Sequence, residues 1–247
     1  KTYVAWNWKA NGSGSSNTNG SINTTATSAN VDAGFSVSTW TGNATSGASV
    51  GHGLSKAPEM IINKCRSSAG NWAVYHAGNT SAPETEYLEL ETTAATADIE
   101  NIWNDQAPTN SVFYLGNNAA VNGNGETFVT YCFHSVDGYS KVGSYVGNNN
   151  ADGTFVYTSF APAFILWKNT NDAGTNWLMV DNKRDTFNPN DDDLYPNAST
   201  AEEEDFDMDF LSNGFKFRNT SSWANLGGKS YIYIAFAETP FKYSNAR

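Results

Sequence analysis

Two stretches of the chain concentrate carboxylates, and paired carboxylates can cut glycosidic bonds. ETEYLELE (84–91) places Glu84 and Glu86 in one strand register and Glu89 and Glu91 in the other. EEEDFDMD (202–209) gathers Glu202, Glu203, Glu204, Asp205, Asp207 and Asp209. Glycoside hydrolysis needs one carboxyl group on each side of the scissile bond. Neither run carries the E-x-D-x-x-E strand pattern of one large family of β-sandwich glycanases. A solvated acidic face, and negative charge at the start of a short helix, account for both runs.

The other hydrolytic chemistries lack their residues. There are three histidines, His52, His76 and His134. A Ser-His-Asp arrangement would need one of them beside a nucleophile and an orienting acid, and the chain has no G-x-S-x-G elbow. Zinc would need H-E-x-x-H or cysteines at ligand spacing, and neither occurs. Cys65 and Cys132 lie in apolar, strand-like runs and read as free thiols filling a core. The chain is not expected to be an enzyme.

Calcium suits the acids better, because hard cations take oxygen ligands from clustered Asp and Asn. Asp191, Asp192 and Asp193, in the loop-like NPNDDDLYPN (188–197), are the first places to look. The EF-hand pattern is absent, so any such site would be irregular.

Sugar binding fits the composition best. Lectin-type sites set aromatic rings against sugar C–H faces and read hydroxyls with Asn, Asp and Gln. The chain has eight tryptophans. Trp72 and Trp177 occupy matching places in two similar segments and read as core. Trp103 and Trp223 have no aromatic at the matching place. Trp223 lies in NTSSWANLGG (219–228), where an exposed ring is costly unless something covers it. Trp223, Trp103, Asn219 and Asn225 are the candidate glycan-binding residues.

The elements that must position these residues are strands. Runs of Val, Ile, Tyr, Phe, Trp and Thr end at Gly/Asn/Asp/Ser clusters. Segments with this character are 2–9, 34–41, 58–65, 71–76, 86–91, 111–115, 127–135, 139–146, 154–158, 162–168, 176–181, 214–218 and 230–237. Turn signals separate them: NGNG (122–125), GNNNADG (147–153), NG (213–214) and GG (227–228). Ser199 or Thr200 before the acidic run predicts one short helix over 199–211, and TAATADIENIW (93–103) a helical turn in the same relative place.

The pattern repeats. PEMIINKC (58–65) aligns with PAFILWKN (162–169), NWAVYHA (71–77) with NWLMVDN (176–182), and TFVTYCFHS (127–135) with SYIYIAFAE (230–238), at a spacing of about 103 residues. TYVAWNWKA (2–10) resembles the last strand of an earlier copy. The expected architecture is all-β: two tandem β-sandwich domains, jelly-roll or lectin-like, over 34–137 and 138–247. Residues 1–33 would supply the last strand of a preceding repeat and an Asn/Ser/Thr-rich connector, with Ile22, Thr24, Thr25, Thr27 and Val31 able to add an edge strand.

The net charge of −11, from 14 Lys and Arg against 25 Asp and Glu, argues against nucleic acid as a partner. No stretch approaches the apolar length of a membrane-spanning helix, so membrane insertion is not expected.

An ordered series of segments carries a resemblance: GFSVSTWTGN (34–43), GHGLSKAPEMIINK (51–64), NWAVYH (71–76), NGNGETFVTYCF (122–133), GYSKVGSYVGN (138–148), DFLSNGFKFR (209–218) and YIYIAFAETPF (231–241). The series resembles the repeated β-domains in the C-terminal parts of large virion proteins of marine tailed bacteriophages, described as tail-fibre or lectin-like. The resemblance implies an extracellular virion component, a homo-oligomer assembled with other virion proteins, that attaches to a host surface polysaccharide. Weak single sites would gain from copy number. Two other functions fit the same sequence: a structural virion module (spacer, head fibre or capsid decoration), and a carbohydrate-binding module of a marine polysaccharide-degrading enzyme.

Overall fold

The computed structural model describes residues 3–239. Thr2, at the start of the first predicted strand, and 240–247, at the end of the second predicted domain, lie outside the described residues. The chain forms two compact units. Unit 1 is Lys1–Glu89 with Thr96–His134, and unit 2 is Leu90–Ala95 with Ser135–Arg247.

Unit 1 carries β1 (Ala26–Asn30), β2 (Phe35–Thr41), β3 (Ala48–Gly51), β4 (Met60–Cys65), β5 (Trp72–His76), β6 (Glu86–Glu89), β7 (Ala97–Asp98), helix α1 (Glu100–Trp103), β8 (Val112–Leu115), helix α2 (Ala119–Asn122) and β9 (Thr127–Phe133). Seven strands form an antiparallel sheet in the order β1-β2-β9-β4-β5-β6-β7, and β3 pairs with β8. The core lies between these two sheets. Trp40, Ile61, Tyr75 and Phe128 come from the larger, and Val50, Phe113 and Leu115 from the smaller. Period-two alternation drives this layering. In β9, Phe128, Thr130 and Cys132 turn inward while Thr127, Val129 and Tyr131 face away. The indole of Trp40 stacks on Phe128 at 4.6 Å and donates to Thr130 Oγ1, which donates to Asn63 Oδ1.

Unit 2 carries β10 (Ser140–Val146), β11 (Phe155–Tyr157), β12 (Pro162–Asn169), β13 (Trp177–Asp181), β14 (Asn190–Asp193), β15 (Glu203–Leu211), β16 (Gly214–Phe217) and β17 (Ser230–Ala237). It is a sandwich of two four-stranded sheets, β10-β17-β12-β13 and β11-β16-β15-β14. Ile165, Trp167, Tyr231 and Tyr233 from one sheet meet Val156, Met208, Phe215 and Phe217 from the other.

The order β10-β17-β12-β13 matches β2-β9-β4-β5 in unit 1. Local geometry agrees: Gly42 N–H donates to Glu126 O, and Gly147 N–H to Lys229 O. A Cβ on Gly42 would strike the carbonyl of Gly123, and one on Gly147 the carbonyl of Leu226. All-β architecture is therefore as expected.

Three local expectations are corrected. Residues 203–211 form β15 rather than a helix. Phe206, Met208 and Phe210 alternate with acids at strand period, and like charges four apart oppose a helix. Over 93–103 the expected helical turn is present as α1, beside β7. Residues 11–33 are more than a connector. Ser15 bridges Thr27, Ile22 is buried beside Val50, and β1 extends the sheet edge. Residues 3–10 join no strand ladder among the described residues; Trp8 sets its ring edge-on to Phe133 at 6.4 Å.

Candidate ligand-binding cleft

The four residues expected to meet a glycan are committed to packing. Trp103 is 2% exposed, with its ring edge-on to Tyr75 at 6.2 Å, so it presents no face to a ligand. Trp223 is half-buried against the unit 2 core, stacked on Phe206 at 5.5 Å and edge-on to Tyr195 at 5.9 Å. Asn225 is fully buried: its Nδ2 donates to Asn148 Oδ1, Asn150 O and Asn219 O, and its Oδ1 accepts from Asn148 N. Asn219 is tied to Asp207 O through Nδ2 and to Ser221 N through Oδ1. Asn219, Trp223 and Asn225 thus build the loop at 219–228, and both amides are spent on holding it.

The calcium candidates are likewise structural. Asp191, Asp192 and Asp193 lie on or beside the pairing of β14 with β15, not in a loop. Asp193 is fully buried, and its Oδ2 accepts from the backbone N–H of Asp205 and Phe206. Burial pushes its carboxyl up to about 8. Burial, then Glu202 and Asp185, raise Asp192. Among the described residues no group of three or more His, Cys, Asp or Glu side chains is arranged to hold a metal ion.

His52 and the two cysteines are held in the core of unit 1. His52 is buried; its Nε2 meets Thr109 O and its Nδ1 accepts from Leu54 N, which fixes a neutral tautomer. Burial lowers it to about 4. Both cysteines are free and buried, and Cys65 donates to Glu126 Oε2 at 3.1 Å.

The structure offers a different site. Unit 2 has a cleft of about 540 Å³ lined by Ala161 and Pro162, Asn182 and Lys183, the turn 185–188, Phe210 to Ser212, and Glu238. The sequence builds it from one end of β13. The Asp181 carboxylate accepts N–H bonds from Lys183 and Arg184 at 2.9 and 3.0 Å, and Arg184 Nε at 2.8 Å, reversing the chain. Asp185 then accepts from Phe187 N and Asp191 N. Asn190 Nδ2 donates to the carbonyls of Asp181 and Asp185. Asn188 clasps the backbone of Phe210, and the Asn188–Pro189 peptide is cis.

This fastening leaves the Phe187 side chain standing in solvent at the cleft wall, 81% exposed. A ring so exposed, on a turn so firmly tied, is available for stacking. Lys183 and Glu238 face each other at 3.6 Å on the same cleft. Phe187 is not among the residues that the sequence marks for a glycan. The available signal was DTFNPN (185–190), one apolar ring between turn-forming residues.

Among known protein families, residues 1–240 match the one described as Domain of unknown function (DUF7483). No curated protein matches the chain, and no solved structure does.

Proposed function

Starting from the fact that this chain belongs to the DUF7483 family, matched over residues 1–240, we propose that it is a non-catalytic glycan-binding module of a virion fibre. In this reading it works outside the cell, in several copies, and attaches to a host surface polysaccharide. The observation that carries the reading is Phe187, 81% exposed beside a cleft of about 540 Å³. A shallow cleft with one free ring and a few polar groups suits a sugar face held by stacking and hydrogen bonds. The sparse charge of the chain, 16% Asp, Glu, Lys and Arg, suits a surface that works through neutral hydrogen bonds.

A glycan array probed with the full chain and with Phe187→Ala tests this. Reproducible binding that Phe187→Ala abolishes is the expected result. A folded wild-type sample that binds nothing would overturn the reading and favour a structural virion module.

A further inference from the structure

We infer that the cleft takes an uncharged pyranose face and rejects acidic polysaccharide. The inference rests on the glycan-binding reading and adds the chemical class of the sugar. Among the described residues, three charged side chains line the cleft: Lys183, Asp185 and Glu238. Two acids thus accompany one base, and Lys183 Nζ lies 3.6 Å from a Glu238 carboxylate oxygen. Asp185 lines the same wall as Phe187, and its carboxylate accepts hydrogen bonds from the backbone N–H groups of Phe187 and Asp191.

More acids lie close by: burial first, then Glu202, Asp185 and Asp191, raise the Asp192 carboxyl against the pull of Arg184. Arg184, next to Lys183 in the chain, is engaged by Asp181 and Glu202. A uronate or sulfated sugar entering here would place its anion beside Asp185 and Glu238, with Lys183, which faces Glu238, as the one base among the described lining residues. Beside the amides and hydroxyls of Asn182, Thr186, Asn188 and Ser212, the wall presents two carboxylate acceptors and an electron-rich ring face. Both call for hydroxyl donors and polarised C–H groups, which a neutral pyranose supplies.

The test is saturation-transfer NMR and titration of the full chain with two probes: chitotetraose as the neutral oligosaccharide and tetragalacturonate as the acidic one. Both are repeated with Phe187→Ala and with Glu238→Lys. Glu238 is half-exposed at the end of β17, so the charge reversal leaves the core untouched. The expected result is chitotetraose binding lost in Phe187→Ala, insensitive to salt, and at least tenfold tighter than tetragalacturonate. Glu238→Lys should raise tetragalacturonate affinity severalfold at low salt and lose that gain at high salt. Tetragalacturonate binding as tightly as chitotetraose to the wild type, in a Phe187-dependent manner, would overturn the inference and leave the glycan reading standing. Neither probe binding, while the array shows acidic hits only, would overturn it as well. Neither probe binding and a blank array would overturn both.

Discussion

Asn188 and Phe210 are joined twice across the cleft of unit 2. The Asn188 Nδ2 donates to the Phe210 carbonyl, and the Asn188 Oδ1 accepts from the Phe210 N–H, both at 2.9 Å. The side-chain amide thus imitates a strand partner and anchors the turn that carries Phe187 to the end of β15. Asn188→Ala removes both bonds at an exposed place, where water replaces them. The expected stability loss is about 1 kcal/mol, read from urea unfolding. Glycan affinity should fall further than stability does, because the ring loses its fixed position. Unchanged affinity in Asn188→Ala would mean that the turn needs no clasp.

Phe187→Ala is the complementary case. An 81% exposed ring contributes little to folding, so unfolding free energy should stay within about 0.5 kcal/mol of wild type. Glycan affinity should drop at least tenfold, about 1.4 kcal/mol. Differential scanning fluorimetry and titration on the same preparation separate the two effects. A large loss of stability with intact binding would assign Phe187 to the fold.

Asn122 and Asn225 sit at matching places in the two units and are bonded alike. Asn122 Nδ2 donates to Asn43 Oδ1, Thr45 O and Gly116 O, and its Oδ1 accepts from Asn43 N. Asn225 does the same with Asn148, Asn150 and Asn219. Each amide is fully buried, so its loss strands several backbone groups. Asn122→Ala and Asn225→Ala should each cost about 2–4 kcal/mol in urea unfolding. If Asn225→Ala unfolded like wild type but lost glycan binding, the sequence-based assignment of Asn225 would be restored.

Much of the fold was legible because strand periodicity is local. β4, β5, β9, β12, β13 and β17 each announce themselves by β-branched and aromatic residues between turn signals. The helix expected over 199–211 failed because a capping pattern at Ser199 was weighed above the alternation of Phe206, Met208 and Phe210. The site was not legible. Whether Trp103 and Trp223 stand free depends on Tyr75, and on Phe206 and Tyr195, which approach them only in the folded chain. Phe187 is one of 14 phenylalanines, and only the hydrogen bonds around Asp181, Asp185 and Asn188 push it outward.

Asp193 makes stability depend on pH in a direction opposite to most acids. Its carboxyl is raised by burial to about 8, against roughly 3.9 in an unfolded chain. The folded state therefore holds a proton that the unfolded state releases. That stabilisation is complete below about pH 4 and is lost as pH rises, until it is gone above about 8. The backbone N–H groups of Asp205 and Phe206 and the charge of Arg184 pull the other way, and the Asp205 carboxylate adds to the rise. Asp193→Asn keeps an acceptor for Phe206 N–H and has no charge to form. Between pH 5 and 8 its unfolding free energy should fall less steeply than that of wild type, measured by urea unfolding at one-unit steps. Parallel curves for the two proteins would show that Asp193 is ionised throughout that range in the folded chain.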